Sequence, residues 1–151
     1  MYKKSITHYV SKIAVDVLFY LSIICTLCVP FLSSKLFIWI GYPEVSYMTA
    51  FTIMLFLSGI CCVLILLNLK LMFRTIMVGN PFIDKNVNYM RRIAVLCAAI
   101  SMIYIIKCFF MFTFATIIIA AVFMVGCLLC LSLKDLFKQA VNFKSENDLT
   151  I

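Results

Sequence analysis

The sequence predicts an all-α polytopic membrane protein with four transmembrane helices, both termini cytoplasmic and a short amphipathic C-terminal helix. Three observations carry that expectation. Of 151 residues, 66% are hydrophobic and only 13% charged, and the mean hydropathy is +1.15, far from what a soluble domain of this length needs to cover itself. The apolar residues are gathered into long uninterrupted runs. Most basic residues sit at the edges of those runs, as in loops that border a bilayer.

The first span is expected over residues 13–33, broken only by Asp16. About 20 helical residues at 1.5 Å each cross a hydrocarbon core of about 30 Å. This run is longer than the apolar part of a signal peptide. It ends in Pro30-Phe31-Leu32-Ser33-Ser34-Lys35 without a small-x-small cleavage site, so a retained helix is expected. The second span covers 47–70, with a helical extension to about 78 through Met72, Phe73, Ile76 and Met77. Between Ile93 and Leu133 lie 41 residues with one charge, Lys107. As a single helix they would measure about 60 Å, so they must form two spans, 93–111 and 115–133. No Gly or Pro marks the reversal. It is assigned to the stretch from Lys107 to Thr116, where the lysine can place its ammonium at a headgroup level. Beyond it, residues 134–151 form a cytoplasmic segment and tail. Leu133, Leu136, Phe137, Ala140 and Val141 recur there at helical spacing among Lys134, Asp135, Lys138 and Gln139, which predicts the short amphipathic helix.

Charge fixes the expected orientation. Thirteen Lys and Arg stand against six Asp and Glu, for a net charge of +7. Four spans put Lys35 and Lys107 on one side and the other eleven on the opposite, cytoplasmic side of a cell membrane. A basic protein could also bind nucleic acid, but no basic helix with interleaved aromatics is present, and direct nucleic-acid binding is not expected. Trp39, Tyr42 and Tyr47 fall in the first external loop and suit the role of interfacial anchors.

Gly79-Asn80-Pro81-Phe82 is the strongest punctuation in the chain. Gly79 can end the second helix, Asn80 can accept from free N–H groups, and Pro81 suits the first turn of the next helix. A corner of this kind holds Asn80, Asn86 and Asn88 in a defined geometry and can serve as a docking surface.

Candidate chemistry inside the membrane is sparse. Cys25-x-x-Cys28 and Cys127-x-x-Cys130 have the spacing of metal or redox pairs. They lie in apolar runs at opposite depths, so all eight cysteines are read as packing residues, with no metal and no cofactor expected. Asp16 is a possible intramembrane polar site. Its type suits the single acid of a proton-coupled exporter, whereas its position four residues past Lys12 suits an interfacial partner for Lys12, His8 or a headgroup. Ala94, Cys97, Ala98 and Ser101 make a small-residue stripe on the third helix, fit for close packing within the bundle or in a homo-oligomer. No phosphate loop, His-Glu metal motif or Ser-His-Asp set occurs, and no enzyme is expected.

Gly79-Asn80-Pro81-Phe82, Asn86, Met90-Arg91-Arg92-Ile93 and the final Glu146-Asn147-Asp148-Leu149-Thr150-Ile151 together resemble the bacterial DUF2975 family of small four-helix membrane proteins. The resemblance spans the whole chain; Ser145-Glu146 stands where members commonly carry two acids. It implies no settled activity. Genes of the family commonly lie beside one for a small Cro/C1-type helix-turn-helix protein, which implies a regulator as partner. On that implication a cytoplasmic site is expected at Asn80, Pro81, Phe82 and Asn86 together with Glu146, Asn147, Asp148, Leu149 and Ile151. The carboxylates would attract the regulator's DNA-reading surface, and Leu149 and Ile151 would anchor it. The alternatives are a small proton-coupled transporter working through Asp16, or an accessory subunit of a larger membrane transporter.

Overall fold

A computed structural model describes residues 6–41, 47–79 and 81–149, with side chains described for 9–41, 47–79 and 81–146. Four helices occupy them: α1 (Ile6–Trp39), α2 (Met48–Met77), α3 (Asp84–Phe110) and α4 (Phe114–Leu149). All four are long and apolar enough to cross a membrane. In hydrocarbon no water can satisfy a free amide, so long apolar runs take the conformation whose hydrogen bonds close within the segment. This also explains why α1 continues past Pro30 to Trp39 instead of ending there.

The helices pack in a row, α1 on α2, α2 on α3 and α3 on α4, and among the described residues no close backbone approach joins α1 to α3 or α4, or α2 to α4. The accessible surface is 10250 Å², against about 7,800 Å² for a compact soluble chain of this mass. Much of the excess is apolar: Phe31, Trp39 and Phe109 are at least 80% exposed. A face of that kind requires lipid around it.

Each junction in the row rests on small or polar side chains that let backbones approach. Between α1 and α2, Gly59 lies against Thr26, so closely that a Cβ at Gly59 would stand 2.8 Å from the threonine Oγ1. Between α3 and α4, the buried Ser101 hydroxyl donates to the Ala120 carbonyl at 3.0 Å. Ala94 and Cys97 pack with Cys127 of α4 and with Ile65 and Leu69 of α2. The small-residue stripe of α3 is thus spent inside the chain.

One expected element is corrected. Residues 134–149 are not a separate short amphipathic helix: α4 is a single helix of 36 residues, and its stretch Phe114–Glu146 is itself a long apolar candidate span. No Gly or Pro follows Gly126, so nothing interrupts the hydrogen-bond ladder at Lys134.

Charged residues mark the two edges of the apolar belt. At one end Asp16 of α1 pairs with Lys70 of α2 at 3.1 Å. The antiparallel register places Arg91 and Arg92 of α3, and Lys134 of α4, near the same level. At the other end stand Lys35 of α1 and Lys107 of α3, with Phe51 of α2 and Thr116 of α4 beside the Lys107 ammonium. Counting residues between these levels on each helix gives about 23 to 29 Å at 1.5 Å per residue, close to a hydrocarbon core. The first level is called the basic end below.

The reversal between α3 and α4 is made at Met111–Thr113. Tertiary contacts hold it in place of turn residues. Met111 is buried in a cluster with Phe37 of α1 and Phe51 of α2, its N–H bonds the Lys107 carbonyl at 2.8 Å, and the Lys107 ammonium donates to Thr116 Oγ1 at 3.1 Å. That ammonium also lies 5.5 Å from the Phe51 ring and 5.9 Å from Tyr104. Lys107 is therefore a half-buried strut of the turn.

Candidate functional site

The residues singled out for chemistry gather at the basic end, around the corner between α2 and α3. Gly79 closes α2 with φ +90°, a conformation that side chains with a Cβ rarely adopt, and its N–H bonds the Ile76 carbonyl at 3.0 Å. Asn80 lies outside the described residues. Pro81 is not in the first turn of α3, which begins three residues later at Asp84 behind an extended Ile83. Its carbonyl has another use: it accepts from Asn86 Nδ2 at 2.6 Å.

Asn86 is the centre of this corner. It is fully buried, its Oδ1 faces the Thr75 hydroxyl of α2 at 2.6 Å, and its backbone N–H bonds the Ile83 carbonyl at 2.9 Å. The Thr75 hydroxyl also lies 2.7 Å from the Met72 carbonyl and has one proton to share between the two acceptors. One carboxamide thus ties the end of α2, the connecting turn and the start of α3. Asn86 supports the corner from behind and presents no polar atom outward.

Phe82 is 43% exposed and its ring centroid lies 5.6 Å from that of Phe137 on α4. The contact brings the corner and the far part of α4 side by side. Next to it a polar cleft of about 530 Å³ separates α3 from α4. Asp84, Asn88 and Arg91 line it on one side, and Lys134, Asp135 and Lys138 on the other. Lys134 and Asp135 form an ion pair at 3.0 Å. Glu146 is exposed on the last described turns of α4, twelve residues or about 18 Å beyond Lys134. The helix continues through Asn147, Asp148 and Leu149, whose side chains, like all of Ile151, lie outside the described residues.

Asp16 is engaged elsewhere. Besides the ion pair, Lys70 Nζ lies 3.4 Å from Tyr20 Oη and 4.9 and 4.7 Å from the rings of Phe19 and Tyr20. Asp16 Oδ1 is shielded from solvent and accepts no well-oriented hydrogen bond. Sequence reasoning named Lys12, His8 or a headgroup as its partner; the register of α2 against α1, which brings Lys70 alongside, is not visible in the sequence. The eight cysteines are all free thiols, and no group of metal-ligating side chains forms among the described residues. Cys25 and Cys28 are exposed on α1, which among the described residues makes no close backbone approach to the helix that carries Cys127 and Cys130. At the opposite end a small, mostly apolar cavity of about 210 Å³ lies between α2, α3 and α4, with Tyr104, Lys107, Thr113 and Thr116 as its polar residues.

Four apolar helices, a belt as thick as a bilayer and a lipid-facing exterior define a multi-pass protein of the cell membrane. Within that class the chain belongs to the DUF2975 family, a protein family of unknown function whose model matches residues 11–151. No curated protein and no solved structure matches the chain.

Proposed function

We propose that this protein is a membrane-embedded regulator that holds a small helix-turn-helix transcription factor at its basic end, which faces the cytoplasm. The N-terminus of α1 and the C-terminus of α4 lie on that face under the positive-inside rule. The protein acts by binding and not by catalysis.

The observation that carries the proposal is the contact of Phe82 with Phe137, which makes one continuous surface from the α2–α3 corner and α4. The unbroken α4 then sets the acids of its last turns about 18 Å beyond the basic level at Lys134. That exceeds a Debye length of about 8 Å at physiological salt, so the charges at the level of Lys134 act on them only weakly. A cationic DNA-reading surface would be drawn to Glu146 and Asp148, and its occupation would compete with DNA. The family's association with small helix-turn-helix proteins supplies the class of partner. A change in the bundle that alters the fit of α4 on the corner would release or retain it. Proton-coupled transport through Asp16 gains no support from a carboxylate already paired with Lys70.

The test is a titration of the detergent-solubilised full chain with the regulator encoded beside its gene. Removal of residues 146–151 is expected to weaken binding about tenfold or more, and Phe82→Ala to weaken it to a lesser degree. An affinity unchanged by both alterations contradicts the proposal.

A further inference from the structure

We infer that the groove between α2 and α3 at the basic end is a binding site for one anionic phospholipid. The groove encloses about 700 Å³, within the range of ligand-binding clefts. Its walls are Leu64, Leu67 and Leu71 on α2 and Val95 and Leu96 on α3. Asn88, Arg91 and Arg92 stand at its mouth.

Depth selects the class of ligand. The arginines lie at the level of Lys70 and Lys134, where the apolar belt ends and lipid phosphates begin. Leu64 is six residues from Lys70, about 9 Å deeper into the bilayer. The groove opens sideways, since Val95 is 62% and Leu64 39% exposed. A water-soluble anion would meet the arginines and leave the leucine walls empty; a molecule filling both parts must be an amphiphile that arrives from within the leaflet.

Charge selects the headgroup. The acids near this level are committed or displaced: Asp16 pairs with Lys70 and Asp135 with Lys134. Arg91 and Arg92 are exposed and form no ion pair among the described residues. Asp84 lies about two helical turns before the arginines on α3, in the cleft that Arg91 also borders. Two adjacent guanidinium groups offer planar donor forks suited to a phosphodiester. The amide of Asn68 forms part of the groove wall and donates one N–H to the Leu64 carbonyl at 2.7 Å. This site does not depend on the regulator and stands if that reading fails.

The experiment is native mass spectrometry of the full-length chain in a mild detergent with equal amounts of palmitoyl-oleoyl phosphatidylglycerol and phosphatidylcholine. One phosphatidylglycerol per chain is expected to be retained in preference to phosphatidylcholine. Arg91→Gln with Arg92→Gln lowers that retention roughly thirtyfold, the effect of two charges at a membrane surface. Leu67→Trp, which fills the groove and leaves both arginines, also displaces the lipid, whereas Arg74→Gln, outside the groove, does not. Equal retention of the two lipids overturns the inference, as does retention that survives Leu67→Trp. Glycerol phosphate competing as well as the whole lipid would show a headgroup site without the groove. A lipid-free dimer lost on Leu67→Trp would show that a second copy fills it.

Discussion

Among the described residues several buried side chains are polar, and two of them, Asn86 and Ser101, tie separate elements together. Asn86 is the clearest case, because a buried carboxamide with both ends bonded costs little, whereas its removal strands the Pro81 carbonyl and leaves the Thr75 hydroxyl only the Met72 carbonyl of its own helix. Asn86→Ala is expected to destabilise the folded chain by about 1 to 3 kcal/mol, read as a lowered midpoint of thermal unfolding in detergent. Thr75→Val should cost less, and the two losses should not add, since they share one hydrogen bond. Full additivity would mean that the bond is not there. In the sequence Asn86 looks like one of several asparagines available to a partner; five residues after Pro81, it is within reach of the turn's own carbonyls, and that spacing is the only local signal of its inward role. Lys70 is similar, because nothing along the chain says which cation meets Asp16. Gly59 drew no attention in the sequence, yet its missing side chain is what admits Thr26.

Helices were legible wherever hydropathy alone decides, since a long uncharged run in lipid has one way to bond its amides. Their ends were legible only where the chain carries its own punctuation. Gly79 ends α2 by its conformation, and Asp84 sits in the first turn of α3. At Met111–Thr113 there is no Gly or Pro, and the reversal depends on Met111 inserting between Phe37 and Phe51, contacts distant in sequence. The end of α4 misled for the opposite reason. A change from apolar to charged residues at Lys134 does not end the helix, because Lys134, Leu136, Lys138, Gln139 and Ala140 are all good helix formers. Leu133→Pro is therefore expected to uncouple the distal part of α4 from the corner. With cysteines placed at positions 82 and 137, a short thiol cross-linker should join them in the otherwise native chain, and the proline should reduce that yield several-fold. An unchanged yield would mean that residues 134–149 dock on Phe82 without the continuous helix.

At the scale of the whole molecule, the row of helices leaves α1 and α4 each packed on one neighbour, so lipid is part of what surrounds the fold. On α1 and α3 the stretch between charged residues, Asp16 to Lys35 and Arg91 to Lys107, has the length of a bilayer's apolar belt, and α2 and α4 span the same interval through their contacts with these residues. The sequence carried the number of spans and the asymmetry of charge; it did not carry the order of packing, which depends on side-chain fit between helices. The central claim is that the chain crosses the membrane four times with the corner at Gly79 and the end of α4 on the cytoplasmic face. Its most direct test places a reporter that is active only outside the cytoplasm at Gly41, Gly79, Phe112 or Leu149 in turn. Activity at Gly41 and Phe112 with silence at Gly79 and Leu149 is the predicted result; the same response at Gly79 and Phe112 would contradict it.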